Sequence, residues 1–255
     1  MAGPKVGSGI VAGVWRLDGF GVSELESCSA ALRGLGKGAT SMEEAANRVV
    51  RALHDGLVDE EGNRATALVR LYKSCAFSSL PDALRDFAVA VAAGEALQAS
   101  TPCLTLLATI GVEAEWCDRR ASAGHQAIPL PSAEAVARLP MVARMLVDLG
   151  LAADELIAPS REAVLALHRR TFEVFHVPEA VGSPWVPAQD FVADYRVRSV
   201  VGIGGGLPSG DMFSVVAFCT VSVPARAADF LKSLSPACKA ALIPGTYQVF
   251  DEAES

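Results

Sequence analysis

The chain has 255 residues, 51% of them hydrophobic and 20% charged, which supplies a large buried core and excludes a disordered composition. A formal net charge of −7 and an isoelectric point near 5.2 give no electrostatic footprint for a nucleic-acid backbone or an anionic membrane, both of which reward clustered Lys and Arg. The six cysteines (Cys28, Cys75, Cys103, Cys117, Cys219 and Cys238) contain no C-x-x-C pair, and in mostly apolar or small-residue surroundings they are expected as free thiols of a reducing, cytoplasmic compartment.

Residues 1–22 are Gly-rich and are expected to form a flexible leader or a peripheral strand over 10–17. Gly7, Gly9, Gly13, Arg16, Asp18 and Gly19 interrupt any apolar core of a signal peptide. The longest apolar runs of the chain fall well short of the roughly 20 residues that span a bilayer. From Ser23 the spacing turns helical: Leu25, Cys28, Ala31, Leu32 and Leu35 form a stripe that Gly36 and Gly38 stop. Thr40 or Ser41, followed by Glu43 and Glu44, reads as the N-cap and acidic first turn of a second helix, with Ala46, Val49, Val50 and Leu53 on its apolar face.

After a polar turn at 59–63, the run 67–72 suits a buried strand. A helix over 81–97 follows, with Pro81 in its first turn. Residues 103–109 form a second strand, 116–120 a polar loop, and 127–130 an edge strand marked by its proline. Residues 132–149 read as one helix broken at Pro140 or as two short ones, and Ser160 caps a further helix to about Phe175. The segment 176–195 holds Pro178, Gly182, Pro184 and Pro187 and is expected as an ordered, irregular and functional loop. Strands over 197–203 and 212–223, joined by the turn 204–211, form an antiparallel hairpin, and a helix over 225–242 closes the chain. Helices gathered at both ends of a mostly antiparallel sheet make the expected fold class α+β.

The order of these elements resembles a GAF domain, a sensor fold related to PAS. It is carried by 67–72, Leu104 to Thr109, the helical excursion, and the hairpin of Arg198-Ser199-Val200-Val201-Gly202 with Asp211-Met212-Phe213-Ser214-Val215-Val216-Ala217-Phe218. Phe175-His176-Val177-Pro178-Glu179-Ala180, Gly182-Ser183-Pro184, Pro187-Ala188-Gln189 and Leu207-Pro208-Ser209-Gly210-Asp211 resemble the input regions of bacterial sensor histidine kinases. The likeness covers about 23–245 as a single domain and leaves 246–255 as a tail. It implies a regulatory module with a pocket on one side of the sheet, often dimeric through its terminal helices. No phospho-acceptor box, ATP lid or DNA-binding module follows residue 245, so the output is expected to pass through a partner chain.

The run Gly202-Ile203-Gly204-Gly205-Gly206 invites a dinucleotide reading and fails on context, because Leu207-Pro208 and a strand follow where a helix N-terminus must hold the pyrophosphate. His54 and His168 are expected as solvated or capping groups. Cys117, Asp118, His125, His176 and Glu179 offer metal-ligand chemistry without ligand spacing, so no metal is assigned. Trp116, Arg119, Arg120, Trp185 and Gln189 suit a planar or anionic ligand through stacking and bidentate hydrogen bonds, while the plainer reading pairs the arginines with Glu113, Glu115 or Asp118. The expected ligand set is Trp116, Cys117, Arg119, Arg120, His125, His176, Glu179, Trp185 and Gln189, held between the 116–125 and 176–189 loops. No Gly-x-Ser-x-Gly, HExxH, Walker A or kinase signature occurs, so no catalytic residue is assigned. The leading expectation is a stand-alone regulatory domain of bacterial signal transduction that binds a small ligand and acts on a partner. A ligand-free adaptor and a thiol enzyme using Cys117, beside Arg119 and Arg120, are the alternatives.

Overall fold

A computed structural model describes residues 13–92, 94–157, 172–245 and 248–251. In chain order the elements are β1 (Trp15–Arg16), α1 (Val22–Arg33), α2 (Met42–Gly56), β2 (Leu57–Val58), β3 (Thr66–Ala76), α3 (Asp82–Val91), β4 (Pro102–Gly111) and β5 (Ala127–Pro129). There follow α4 (Ala133–Ala137), α5 (Pro140–Asp148), α6 (Ala153–Ile157), β6 (Phe175–Val177), α7 (Gln189–Asp194), β7 (Ser199–Gly206), β8 (Met212–Cys219), α8 (Ala225–Lys232) and α9 (Ser235–Leu242). Six strands form one antiparallel sheet in the order β5-β4-β3-β8-β7-β6, and β1 pairs with β2 in a small parallel ribbon. The fold is α+β, as the element order predicts. Among the described residues, no helix is long and apolar enough to cross a membrane.

The two-residue period of a strand sends alternate side chains of β3 to opposite faces. Val69 and Leu71 enter a core shared with α1, α2, α8 and α9, while Leu68, Arg70 and Tyr72 face the side covered by α5 and α7. On the first face α2 lays down Ala46, Val49, Val50 and Leu53, all buried, each of the larger ones contributing roughly 1.5–3 kcal/mol. Its N-cap is Ser41, whose hydroxyl accepts from the Glu44 amide at 2.9 Å. The residues before and after this layered body join it: Trp15, Leu17 and Phe20 are buried in the first core, and the amides of Met42 and Glu43 donate to the carbonyls of Gln248 and Val249.

Several boundaries depart from the sequence reading, each for a local reason. Gly204, Gly205 and Gly206 belong to β7 instead of the turn, which shortens to 207–211. A Cβ on Gly204 would stand 2.7 Å from the Phe213 carbonyl oxygen, so the lack of a side chain lets the strands and the overlying Leu149 and Phe172 approach. The closing helix is two, α8 and α9, because Pro236 at the start of α9 cannot donate to a continuing helix. Pro140 likewise opens α5 as a separate helix. The segment 176–195 is less irregular than expected, since it begins in β6 and ends in α7. Phe175 is a strand residue, and the rest of the helix expected from Ser160, with His168, lies largely outside the described residues. His54 is neither solvated nor a cap: it is 1% exposed, its Nδ1 lies 2.8 Å from Thr66 Oγ1, and burial lowers its pKa to about 4.

Candidate functional site

A cavity of about 350 Å³ opens on the second face of the sheet, within the size range of small-molecule sites. Its floor is the middle of the sheet. Leu68, Arg70 and Tyr72 of β3 lie beside Leu104 of β4 and Val216 and Phe218 of β8. Leu139, Met141, Val142 and Met145, at and within α5, cover it from above. The remaining wall comes from Trp116 and His125 on one loop and residues 186–188 on another, with Phe191 of α7.

The wall is held by an aromatic cluster. Trp116 meets Tyr195 at 4.5 Å and Phe191 at 5.5 Å between ring centroids, and Phe191 meets Phe218 edge-on at 5.2 Å, contacts that add to simple burial. Trp116 reaches this place because β4 ends in glycine: a Cβ at Gly111 would lie 2.6 Å from the indole and 2.9 Å from the Ala67 carbonyl oxygen. On the opposite wall Gln189 stitches the 180–188 loop to α7. Its side-chain oxygen accepts from the Gly182 amide at 2.8 Å, and its amide nitrogen donates to the carbonyls of Ala180 at 3.1 Å and Val186 at 2.6 Å.

The polar groups of the floor are few and poorly matched. Arg70 is half-buried; its Nη1 makes one long contact of 3.4 Å to the Tyr72 hydroxyl, and its Nε is shielded from water with no hydrogen-bond partner among the described residues. Cross-strand neighbours share a sheet face, so Thr109, opposite Arg70, and Ser214, opposite Tyr72, extend this polar strip across three strands. Both hydroxyls are buried without a partner among the described residues. The Tyr72 phenol is pushed up by burial, an effect that Arg70 opposes. His125 stands exposed at the rim; the part of its ring that lines the cavity loses water, which lowers its pKa, and the Arg70 charge adds to the effect.

Of the residues singled out in the sequence, Trp116 and His125 line this cavity together with residues 186–188 of the second loop. The others face elsewhere. Arg119 and Arg120 turn toward α2, where both bind Glu43, at 2.9 and 3.0 Å; Glu43 and Arg119 are buried, and Phe250 lies against the Arg119 guanidinium at 5.4 Å. Glu43, which the plainer reading did not name, is therefore a partner of both arginines, with Asp118 a longer contact of Arg120 at 3.6 Å, because the first turn of α2 brings the Glu43 carboxylate under the 119–121 turn. Cys117 is exposed, with its thiol near the carbonyls of Gly111 and Glu113. His176 Nε2 sits 2.9 Å from the Val223 carbonyl, Glu179 is exposed, and Trp185 stacks under Arg144 of α5 at 5.3 Å. Among the described residues, no three His, Cys, Asp or Glu side chains converge on a point that would hold a metal ion.

The sequence reading missed Arg70 and Tyr72. The signal was present, since a charged residue at the fourth position of Ala67-Leu68-Val69-Arg70-Leu71-Tyr72 breaks an otherwise apolar strand. Comparisons with protein-family models, with curated proteins and with solved structures find no match to this chain.

Proposed function

We propose that the chain is a GAF-like regulatory domain that takes a small molecule into the cavity between β3 and α5 and passes the signal to a partner protein. The observation that carries this reading is the cavity itself, walled by the 116–125 and 180–188 loops on one sheet face while the terminal helices α1, α8 and α9 pack on the other. Support for the GAF-like assignment comes from the antiparallel order β5-β4-β3-β8-β7-β6 and from the helical excursion inserted between β5 and β6. A ligand shifts an equilibrium only by its different affinity for two conformations. Here the movable parts are α5 and the Gln189-stitched loop, and the sheet carries their displacement to the helices behind it. A cytoplasmic location and a homodimer joined through the terminal helices belong to the same proposal.

The adaptor alternative needs a filled interior, and the cavity favours the ligand reading over it. The thiol-enzyme alternative loses its structural motive, since Arg119 and Arg120 are engaged with Glu43. Native mass spectrometry of freshly purified protein against its denatured mass is the test. A reproducible excess mass, removed by denaturation and accompanied by a higher melting temperature than that of the stripped protein, supports the sensor reading. A bare mass, together with no melting shift across a small-molecule panel, overturns it.

A further inference from the structure

We infer that the ligand of this cavity is an apolar molecule bearing one compact anionic group, a carboxylate in the simplest case, which docks on Arg70. The inference rests on the ligand-binding reading above and deepens it. A half-buried guanidinium in the middle of a sheet, in a cavity it shares with Leu68, Leu104, Val216 and Met145, loses part of its hydration and gains from a compensating acceptor. Among the described residues Arg70 has no carboxylate partner; its one contact is the long one to Tyr72. Arg70 lines the cavity and its Nε is closed off from water, so a carboxylate docks on the Nη end of the guanidinium, which can give one hydrogen bond to each of its oxygens.

Two further features agree. The Tyr72 hydroxyl, 3.4 Å from Nη1 of the guanidinium, is placed to donate to an anion bound there. The rest of the described lining is apolar or aromatic, so it fits a hydrocarbon or aryl body, and among the described residues it gives a phosphate dianion no second cation apart from His125 at the rim, which loss of water on its cavity side and the Arg70 charge both hold toward its neutral form. One charged anchor in an apolar chamber selects an amphipathic monoanion.

The test is isothermal calorimetry of the full chain with octanoate, octanol and octylamine, repeated with Arg70→Met, Arg70→Lys and Ala188→Trp. In the unsubstituted protein octanoate should bind at least about tenfold more tightly than octanol, as a charge-assisted hydrogen bond implies, and octylamine more weakly than either. Arg70→Met should abolish the preference, and Arg70→Lys, which keeps the charge without the fork, should retain part of it. Equal binding of octanoate and octanol, abolished by Ala188→Trp, overturns the anion assignment while the cavity reading stands. No binding of any probe overturns the amphipathic-anion assignment and leaves the cavity reading to the mass and melting test, whereas binding that survives Ala188→Trp removes both. The comparison of probes in the unsubstituted protein needs no variant to fold.

Discussion

His54 gives a pH dependence whose sign and size follow from its burial. The imidazole is enclosed beneath the sheet's first face, with Nδ1 at 2.8 Å from Thr66 Oγ1 and Nε2 without a partner among the described residues. Burial, followed by the charge of Arg64, lowers its pKa from 6.5 to about 4. A base with a depressed folded pKa takes up its proton more readily in the unfolded chain. Its contribution is therefore fully present above pH 6.5 and is lost as pH falls toward 4. Between pH 7 and 5 the loss amounts to about 2 kcal/mol, from one pKa unit being worth about 1.4 kcal/mol. For a chain of this length that is roughly 4–8 °C in Tm. The control is His54→Asn, whose amide occupies the place of Nδ1 and keeps a bond to Thr66 without titrating. Urea denaturation of both proteins at pH 7 and 5 isolates the term, since the other histidines and all carboxylates are common to both. The unsubstituted protein should lose about 2 kcal/mol more than the variant on acidification. Parallel pH profiles would refute the assignment of a buried neutral imidazole.

Two other consequences follow from groups the structure buries. Glu43→Gln removes a buried carboxylate that binds Arg119, itself 3% exposed, and should cost about 3–5 kcal/mol by thermal or chemical denaturation; a loss under about 1 kcal/mol would show that Glu43 is not the decisive counter-charge of Arg119. Burial raises the thiol pKa of Cys103, Cys219 and Cys238 to about 12 and shifts Cys28 and Cys75 the same way, whereas Cys117 is exposed. Native protein at pH 8 should therefore release about one equivalent of thionitrobenzoate from Ellman's reagent rapidly. Cys117→Ser should abolish that phase, and a second fast equivalent would contradict the burial of the remaining thiols.

Much of the fold was legible because it is governed by short-range chemistry. The stripe Val49, Val50 and Leu53, the cap at Ser41, the break at Pro140 and the apolar β4 run each follow from period, capping or proline geometry within one element. The failures are of another kind. Glu43 reads as an ordinary first-turn acid and becomes a buried ion-pair partner only because the fold carries Arg119 and Arg120 across 76 and 77 residues of sequence. His54 looks solvated among charged neighbours, yet its position on α2 points it at Thr66. The glycines of 204–206 read as a turn and serve as strand, with Phe213, Leu149 and Phe172 filling the space beside Gly204 and Phe213 that beside Gly205. In the candidate site, the two loops were recognisable by their Trp and Pro content, but which of their side chains turn inward depends on Gly111 and on the stitching by Gln189.

The two faces of β3 make different demands on the same strand. Toward α2 it places Val69 and Leu71, fully buried and matched by other apolar groups. Toward α5 it places Arg70 and Tyr72, with Thr109 and Ser214 alongside, in surroundings that are otherwise apolar. An aliphatic side chain at position 70 would satisfy that second layer without leaving guanidinium nitrogens poorly compensated, so stability alone gives no reason for an arginine there. Natural proteins tolerate such local conflicts chiefly at functional sites. The conflict at Arg70 coincides with the cavity, and this coincidence makes the centre of the sheet, more than the exposed loops, the place where ligand chemistry is decided.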